Sequence, residues 1–228
     1  MSNIKFRNSD EYFEIQNVFC VGRNYADHIT EMVQPGSNSD ISKEPVVFLK
    51  TTSAIFTGDC TVRVPEFKSK KISNNLQNEV ELVILIGKDG INIPEENAEE
   101  YIAGYAVGVD FTLRDIQSDE KAKGLPWTLS KSFINSTPVS EAIRKAELPE
   151  PCNLNIGLKV NGKTKQNGNT GQMIFSISYI IHYISSVFGL RRGDIIFTGT
   201  PSGVTKLEKG DIVTAYIENI GELRVNIG

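Results

Sequence analysis

Along most of the chain, apolar residues come in short runs separated by Gly, Pro, Asn and Asp. Runs of this length and β-branched content predict strands. They fall at 17–22 (NVFCVG), 46–50 (VVFLK), 80–87 (VELVILIG), 103–111 (AGYAVGVDF) and 153–162 (NLNIGLKVNG), then at 194–199 (DIIFTG), 211–220 (DIVTAYIENI) and 222–228 (ELRVNIG). Asn161-Gly162, between two half-polar runs, predicts a two-residue hairpin turn. Helical spacing is clearest in 173–189, through Ile174, Ile177, Ile181 and Ile184. Two more polar helices are expected. One is 94–104, opened by Pro94 and acids and closed by Gly104; the other is 112–124, closed by Gly124. The polar spans 31–45 and 123–133 (which holds the single Trp127) read as loops, and the first is long enough for a lid. Strands dominate, so the pattern predicts a mixed, mainly β architecture.

Composition narrows the field. A chain of 228 residues with 39% hydrophobic content supports a real core, in one large domain or one domain with a small appendage. The net charge of −4 is spread without a basic stripe, which argues against a nucleic-acid partner. No apolar run approaches the roughly 20 residues that span a bilayer, and the N-terminal stretch lacks the apolar core of a signal peptide. Cys20, Cys60 and Cys152 have no metal-type spacing and read as free thiols in a reducing cytoplasm.

The chemistry is carried by acids at strand ends. Glu79 and Glu81, two apart, project to one face of a strand, with oxygens close enough to share a cation. Without a cation their repulsion raises one pKa. Alone, the pair also fits a solvated strand edge. Asp110 ends a second strand where a helix should begin, as a third oxygen ligand or as a helix N-cap. Three hard carboxylates suit Mg²⁺, with Mn²⁺ or Ca²⁺ as alternatives. His28 and Glu31 are spaced i, i+3, so a carboxylate can orient an imidazole for work as a general base; a surface helix pair has the same spacing. His182, inside the apolar helix, reads as structural. Ser202 sits in TGTPSGV, with no Gly-x-Ser-x-Gly elbow to make it a nucleophile.

Seven blocks occur in order: FCVGRNYADHITEM, PVVFLK, EVELVILIGK, YAVGVDFTLRDIQ, KGLPWTLSKSF, MIFSISYII and GDIIFTGTPSGV. From about residue 15 to the C-terminus they resemble the fumarylacetoacetate hydrolase family, in its small acylpyruvase and oxaloacetate decarboxylase branch. The resemblance implies an α+β, mainly β fold: a mixed β-roll or sandwich with a few peripheral helices. It implies one domain over 1–228, with 1–15 a short N-terminal extension and 28–45 a mobile lid, and a homodimer. It assigns Mg²⁺ to Glu79, Glu81 and Asp110, and the His-x-x-Glu of the lid to His28 and Glu31. Lys131 matches the lysine of TLSKSF, and Arg114 and Gln117 match the Arg-x-x-Gln after the metal aspartate. Arg23 and Thr200 match residues at the substrate carboxylate, with Gly199 grouped beside Thr200. Relatives often carry His-His before the acidic pair; here Gln77 and Asn78 stand there.

The implied substrate is a small 2-oxo acid. Hydrolysis of an acylpyruvate and decarboxylation of oxaloacetate both pass through a pyruvate enolate. Tautomerisation of oxaloacetate, isomerase or decarboxylase chemistry on longer dienoates from aromatic degradation, and a catalytically silent oxo-acid-binding protein are the alternatives.

Overall fold

The computed structural model describes residues 3–32, 42–58, 60–148 and 150–228. The run VELVILI is apolar throughout because Val80–Ile86 is the centre of an eight-stranded sheet and every residue in it is buried. Its neighbours are Ile102–Val109 and Ile195–Phe197, both antiparallel. Beyond Ile195–Phe197 lie Val18–Gly22, in parallel, and then Val46–Lys50 at the edge. On the other side, Ile102–Val109 pairs with Thr137–Val139 and Ile143–Arg144, and Ile55–Thr57 closes that edge. The pairing of Val80–Ile86 with Ile102–Val109 is regular from Val80 to Leu85 and shifts register only at Ile86.

Five strands make a second sheet, in the order Lys163–Asn169, Asn155–Val160, Ile212–Ile217, Gly221–Ile227 and Cys60–Val62. Strand parity divides the core. Leu82, Ile84 and Ile86 share a large cluster with Ile156, Leu158, Val213 and Val225 of the second sheet and with Ile177, Ile181 and Ile184. Val83 and Leu85 turn the other way, into a smaller cluster with Cys20, Ala106 and Phe197. That face is covered from the N-terminus. Asn3–Lys5 pairs with Tyr12–Glu14, and Ile4, Phe6 and Phe13 are buried in the smaller cluster. The stretch expected as an extension is thus packed against the sheet.

The mainly β expectation holds, with local differences. Asn161 and Gly162 take the positive φ values, 50° and 77°, that a type I′ hairpin requires. The helix expected over 94–104 is a 3-10 turn, Glu95–Tyr101, and the chain is already extended at Ile102. Gly104 does not end a helix; it lies in the strand where a Cβ would come within 2.2 Å of the Ile143 carbonyl oxygen. The helix of 112–124 starts later, at Arg114–Lys123 (α2), because Thr112–Leu113 pairs with Leu76–Gln77; it ends at Gly124 in the left-handed region. The third expected helix is Ile177–Val187, capped by Ser176, whose hydroxyl accepts from the Tyr179 N–H at 3.1 Å. There His182 Nδ1 lies 2.7 Å from the Ile93 carbonyl oxygen, a structural contact. The expected loop 123–133 contains one short helix, Thr128–Lys131. Of the expected lid, 28–31 belong to the helix Ala26–Glu31 (α1), while 33–41 lie outside the described residues.

Candidate active site

The strand pairing sets the acids. Val80 faces Val109 across the ladder, so Glu79 and Asp110, one step outside, are neighbours; the Asp110 N–H donates to the Glu79 carbonyl at 2.8 Å. Glu81 shares the parity of Glu79. Ligand oxygens of Glu79, Glu81 and Asp110 all lie within 4.8 Å of one another, and all three residues are buried. Asp110 is not a helix cap: α2 begins four residues on, after Leu113 and without a side-chain cap.

Buried acids so close need positive charge. Lys131 Nζ donates to Glu79 Oε2 at 2.5 Å and to Asp110 Oδ2 at 2.7 Å. Lys50 Nζ lies 2.7 Å from Asp110 Oδ1, and Arg114 pairs with Glu79 Oε1. Burial opposes ionisation of Glu79, but Lys131 and Arg114 outweigh it and hold the carboxyl well below its usual range. Burial also disfavours the Lys131 ammonium, yet Asp110 and Glu79 raise its pKa. Glu81 differs. Among the described residues it makes no ion pair and accepts only the Gly199 N–H, at 2.6 Å. Burial, then Asp110 and Glu79, push its pKa well up. An all-oxygen cluster with one acid lacking a cationic partner fits a divalent cation, which would supply the charge that Glu81 lacks.

Every expected site residue except Glu31 lines one cavity of about 320 Å³. Glu31 reaches it through His28: Nδ1 is 3.4 Å from Glu31 Oε2. Glu31 is in turn fixed from outside α1. The Gly203 N–H donates to both its oxygens, at 3.2 and 3.1 Å. Burial works against the Glu31 carboxylate, but His28 and the Gly203 N–H win and lower its pKa. Gly203 has φ +101°, and a Cβ there would stand 2.0 Å from the Lys165 carbonyl oxygen, so only glycine presents this N–H. Arg23, also at positive φ (61°), lines the cavity next to Asn24. The Asn24 side chain ties this turn to the Thr198 and Phe175 carbonyls and to the Phe175 N–H. Gln117 gives its carbonyl oxygen to Arg114 at 2.6 Å, which leaves its NH₂ as the remaining hydrogen-bonding group.

The two positions that depart from the expected imidazoles both make contacts. Gln77 accepts from Arg114 Nε at 2.7 Å, so Arg114 is held by Gln77, Gln117 and Glu79 together. Asn78, fully buried, donates to Gln166 Oε1 at 2.9 Å. Gln166 was not anticipated. Its oxygen also takes the Val80 N–H (3.0 Å), and its NH₂ donates to Thr200 Oγ1 (2.8 Å) and the Pro201 carbonyl (2.7 Å). One buried amide thus joins the strand of the acids to the turn of Thr200. Lys50, Asn24 and Gly203 were missed as well. The polar ends of VVFLK and TGTPSGV are the signals that point to Lys50 and Gly203.

A mainly β scaffold that buries three carboxylates beside a His–Glu pair, in an open cavity rich in cations, defines a divalent-metal enzyme type acting on small anions. The comparisons agree. Residues 17–228 match the family described as fumarylacetoacetate (FAA) hydrolase C-terminal, and the chain belongs to this family of enzymes. It is 46% identical over 212 residues to oxaloacetate tautomerase FAHD1, mitochondrial, of Mus musculus, covering 93% of this chain and 91% of that protein. The Arabidopsis thaliana protein of the same name is 42% identical over 210 residues, covering 92% and 90%. Among solved structures, fumarylpyruvate hydrolase from Pseudomonas aeruginosa in complex with Mn²⁺ and pyruvate is similar at TM-score 0.92 and 36% identity, over 99% of this chain and 95% of that one. The 2-hydroxyhepta-2,4-diene-1,7-dioate isomerase of Mycobacterium marinum is similar at TM-score 0.78 and 33% identity, over 94% and 75%.

Two outcomes are expected. Mg²⁺ or Mn²⁺ at about a hundred times its Kd should stabilise the fold by about 2.7 kcal/mol, read as a higher Tm that EDTA reverses. Because Glu81 must lose a proton to bind the ion, affinity should fall as pH is lowered through its raised range. Glu81→Gln, a mimic of the protonated acid, should keep the metal-free Tm and lose the shift; a wild-type Tm indifferent to both ions would remove the metal site. Gln166→Leu should lower the urea midpoint, at about 1–3 kcal/mol for each buried group left unpaired. A midpoint within the scatter of surface changes would show that the amide is not holding the two segments.

Proposed function

We propose that this chain cleaves a C–C bond in small 2-oxo acids: hydrolysis of a 2,4-dioxo acid to pyruvate and a carboxylic acid, or decarboxylation of oxaloacetate through a pyruvate enolate. The observation that carries this reading is the meeting, in one cavity, of the three buried acids with the oriented His28–Glu31 pair. Glu79, Glu81 and Asp110 would hold the cation, Mg²⁺ in our reading, with Mn²⁺ or Ca²⁺ as alternatives. A bound divalent cation supplies Lewis-acid polarisation of a 2-oxo group and its carboxylate.

The chain's own residues do the rest. Arg23, Gly199 and Thr200 would bind and orient the substrate carboxylate, with Arg114 shaping that wall through Glu79 and Gln117. His28 removes a proton from water, and Glu31 stabilises the imidazolium that forms. The hydroxide adds to the distal carbonyl of an acylpyruvate. The bond between that carbon and C3 breaks, the acid departs, and the enolate takes a proton at C3 to give pyruvate. Lys131 opposes the negative charge that develops on the enolate, and the Gln117 NH₂ donates to it. With oxaloacetate, CO₂ leaves without any water attack.

Keto–enol tautomerisation of oxaloacetate is the second reading. It moves one proton between C3 and the 2-oxygen in the same site, and the relatives named oxaloacetate tautomerase, at up to 46% identity, favour it. Isomerase or decarboxylase action on longer dienoates, of the kind met in aromatic degradation, has its support in the Mycobacterium neighbour. His28→Asn should reduce acylpyruvate hydrolysis by about 10²–10⁴-fold and spare oxaloacetate decarboxylation. Steady-state rates on acetylpyruvate, fumarylpyruvate and both tautomers of oxaloacetate decide; undiminished hydrolysis in the variant would take His28 out of water activation.

A homodimer is part of this proposal. Leu49, Leu129 and Ile134 are more than half exposed, on an edge strand and the adjoining α3 region (Thr128–Lys131) that packs beside it. Light scattering should give twice the chain mass, and a monomer at micromolar concentration would refute it. We place the protein in the cytoplasm on its free thiols, Cys20 and Cys152. No helix among the described residues is long and apolar enough to cross a membrane.

A further inference from the structure

The cavity has two chemically distinct ends. At its base are the three acids, with Lys131 and Arg114 bound to them. At its rim stand Trp127, Phe48 and Lys121. Trp127 packs on Phe48, with ring centroids 5.7 Å apart, and the Lys121 ammonium lies 5.1 Å from the Trp127 ring centroid. Lys121 as a residue is exposed, yet its charged end is seated on this aromatic wall. It comes from the last turn of α2, three residues before Gly124 closes the helix.

Lys121 differs from the cations at the base. Lys131 and Arg114 are held by Glu79 and Asp110, whereas among the described residues Lys121 makes no ion pair. Enclosure of the ammonium, then the charges of Arg114 and Lys131, push its pKa down to about 8. Among the described residues, the positive charges of Arg114, Lys131 and Arg23 act on it against the single opposing charge of Glu79. A cation with no ion pair among the described residues, seated on an aromatic wall at a cavity also lined by Arg23, Arg114 and Lys131, is suited to a carboxylate brought by a ligand.

We propose that Lys121, positioned by Trp127, is the recognition point for a second carboxylate at the far end of the substrate. The protein would then prefer 2-oxo diacids with an extended chain over 2-oxo monoacids of equal length. This rests on the proposed binding of a 2-oxo acid at the base and adds the specificity of the outer half. It separates the polar head, common to every substrate of this chemistry, from the tail by which substrates differ.

Binding without turnover tests it. The Mn²⁺-loaded protein is titrated calorimetrically with 2-oxoheptanedioate and with 2-oxoheptanoate, which lack a cleavable 4-oxo group and differ only in the terminal carboxylate. Wild type should bind the diacid about five- to tenfold more tightly, the scale of one partly exposed charge pair. Lys121→Met should bind both acids alike, with the monoacid affinity unchanged, and Lys121→Arg should keep the preference. Equal binding by wild type, or a preference that survives in Lys121→Met, would overturn the Lys121 assignment. Failure of both acids to bind would instead overturn the 2-oxo acid reading and this inference with it. In kinetics, Lys121→Met should raise KM for fumarylpyruvate and leave acetylpyruvate within about twofold, since only the first carries a distal charge; equal losses on both would mean a structural role.

Discussion

The rest of the site depends on one electrostatic constraint: three carboxylates are buried within 4.8 Å of one another. Water cannot screen them there, so the protein must bring up positive charge or keep one of them protonated. It does both. Lys131, Lys50 and Arg114 come in from three different segments to Glu79 and Asp110. Glu81 is left as the acid with the raised pKa. Much of the surrounding hydrogen bonding serves this balance. Gln77 and Gln117 hold Arg114, and Ser136 accepts from Lys50.

Glu79 with Glu81, the His–Glu pair and the strand content were legible in the sequence because each depends on short spacing, while Asp110 was legible from its place at a strand end and from the ordered blocks around it. Glu-x-Glu is same-face by the strand period, His28 and Glu31 meet within one helical turn, and Asn161-Gly162 encodes its own turn. The supporting partners were not legible for the converse reason. Gln166 and Lys50 act across pairings between distant segments, and a lone Gln or Lys in a strand carries no mark of its partner. Gly104 was misread because the same residue can end a helix or let two backbones meet, and only the position of Ile143 decides. The stretch 1–15 read as a short extension because the family resemblance begins near residue 15, yet Ile4, Phe6 and Phe13 complete the cover on one face of the central sheet.

The substitution of Gln77 and Asn78 for imidazoles has a clear structural reading. Both are amides, each with a donor and an acceptor, and each meets a partner that must stay in place: Arg114 for one, Gln166 for the other. Neither position faces the acids as a ligand. Here the two amides support Arg114 and, through Gln166, the Thr200 turn, and the oxygen cluster is whole.

The regular ladder between Val80–Ile86 and Ile102–Val109 also governs how this chain can change in length. All three acids are located by that single pairing, and its one irregularity falls at Ile86, at the end away from them. An insertion at the exposed positions between Ile86 and Ile102, away from the buried Ile93 and Ala98, leaves the ladder and every carboxylate in register. One extra residue between Glu79 and Leu85 would turn Glu81 toward the large apolar cluster and draw Leu82 into the cation site. Chain length can therefore change at the far end of this ladder without moving the acids, while beside them a single-residue insertion or deletion changes which side chains face the cluster.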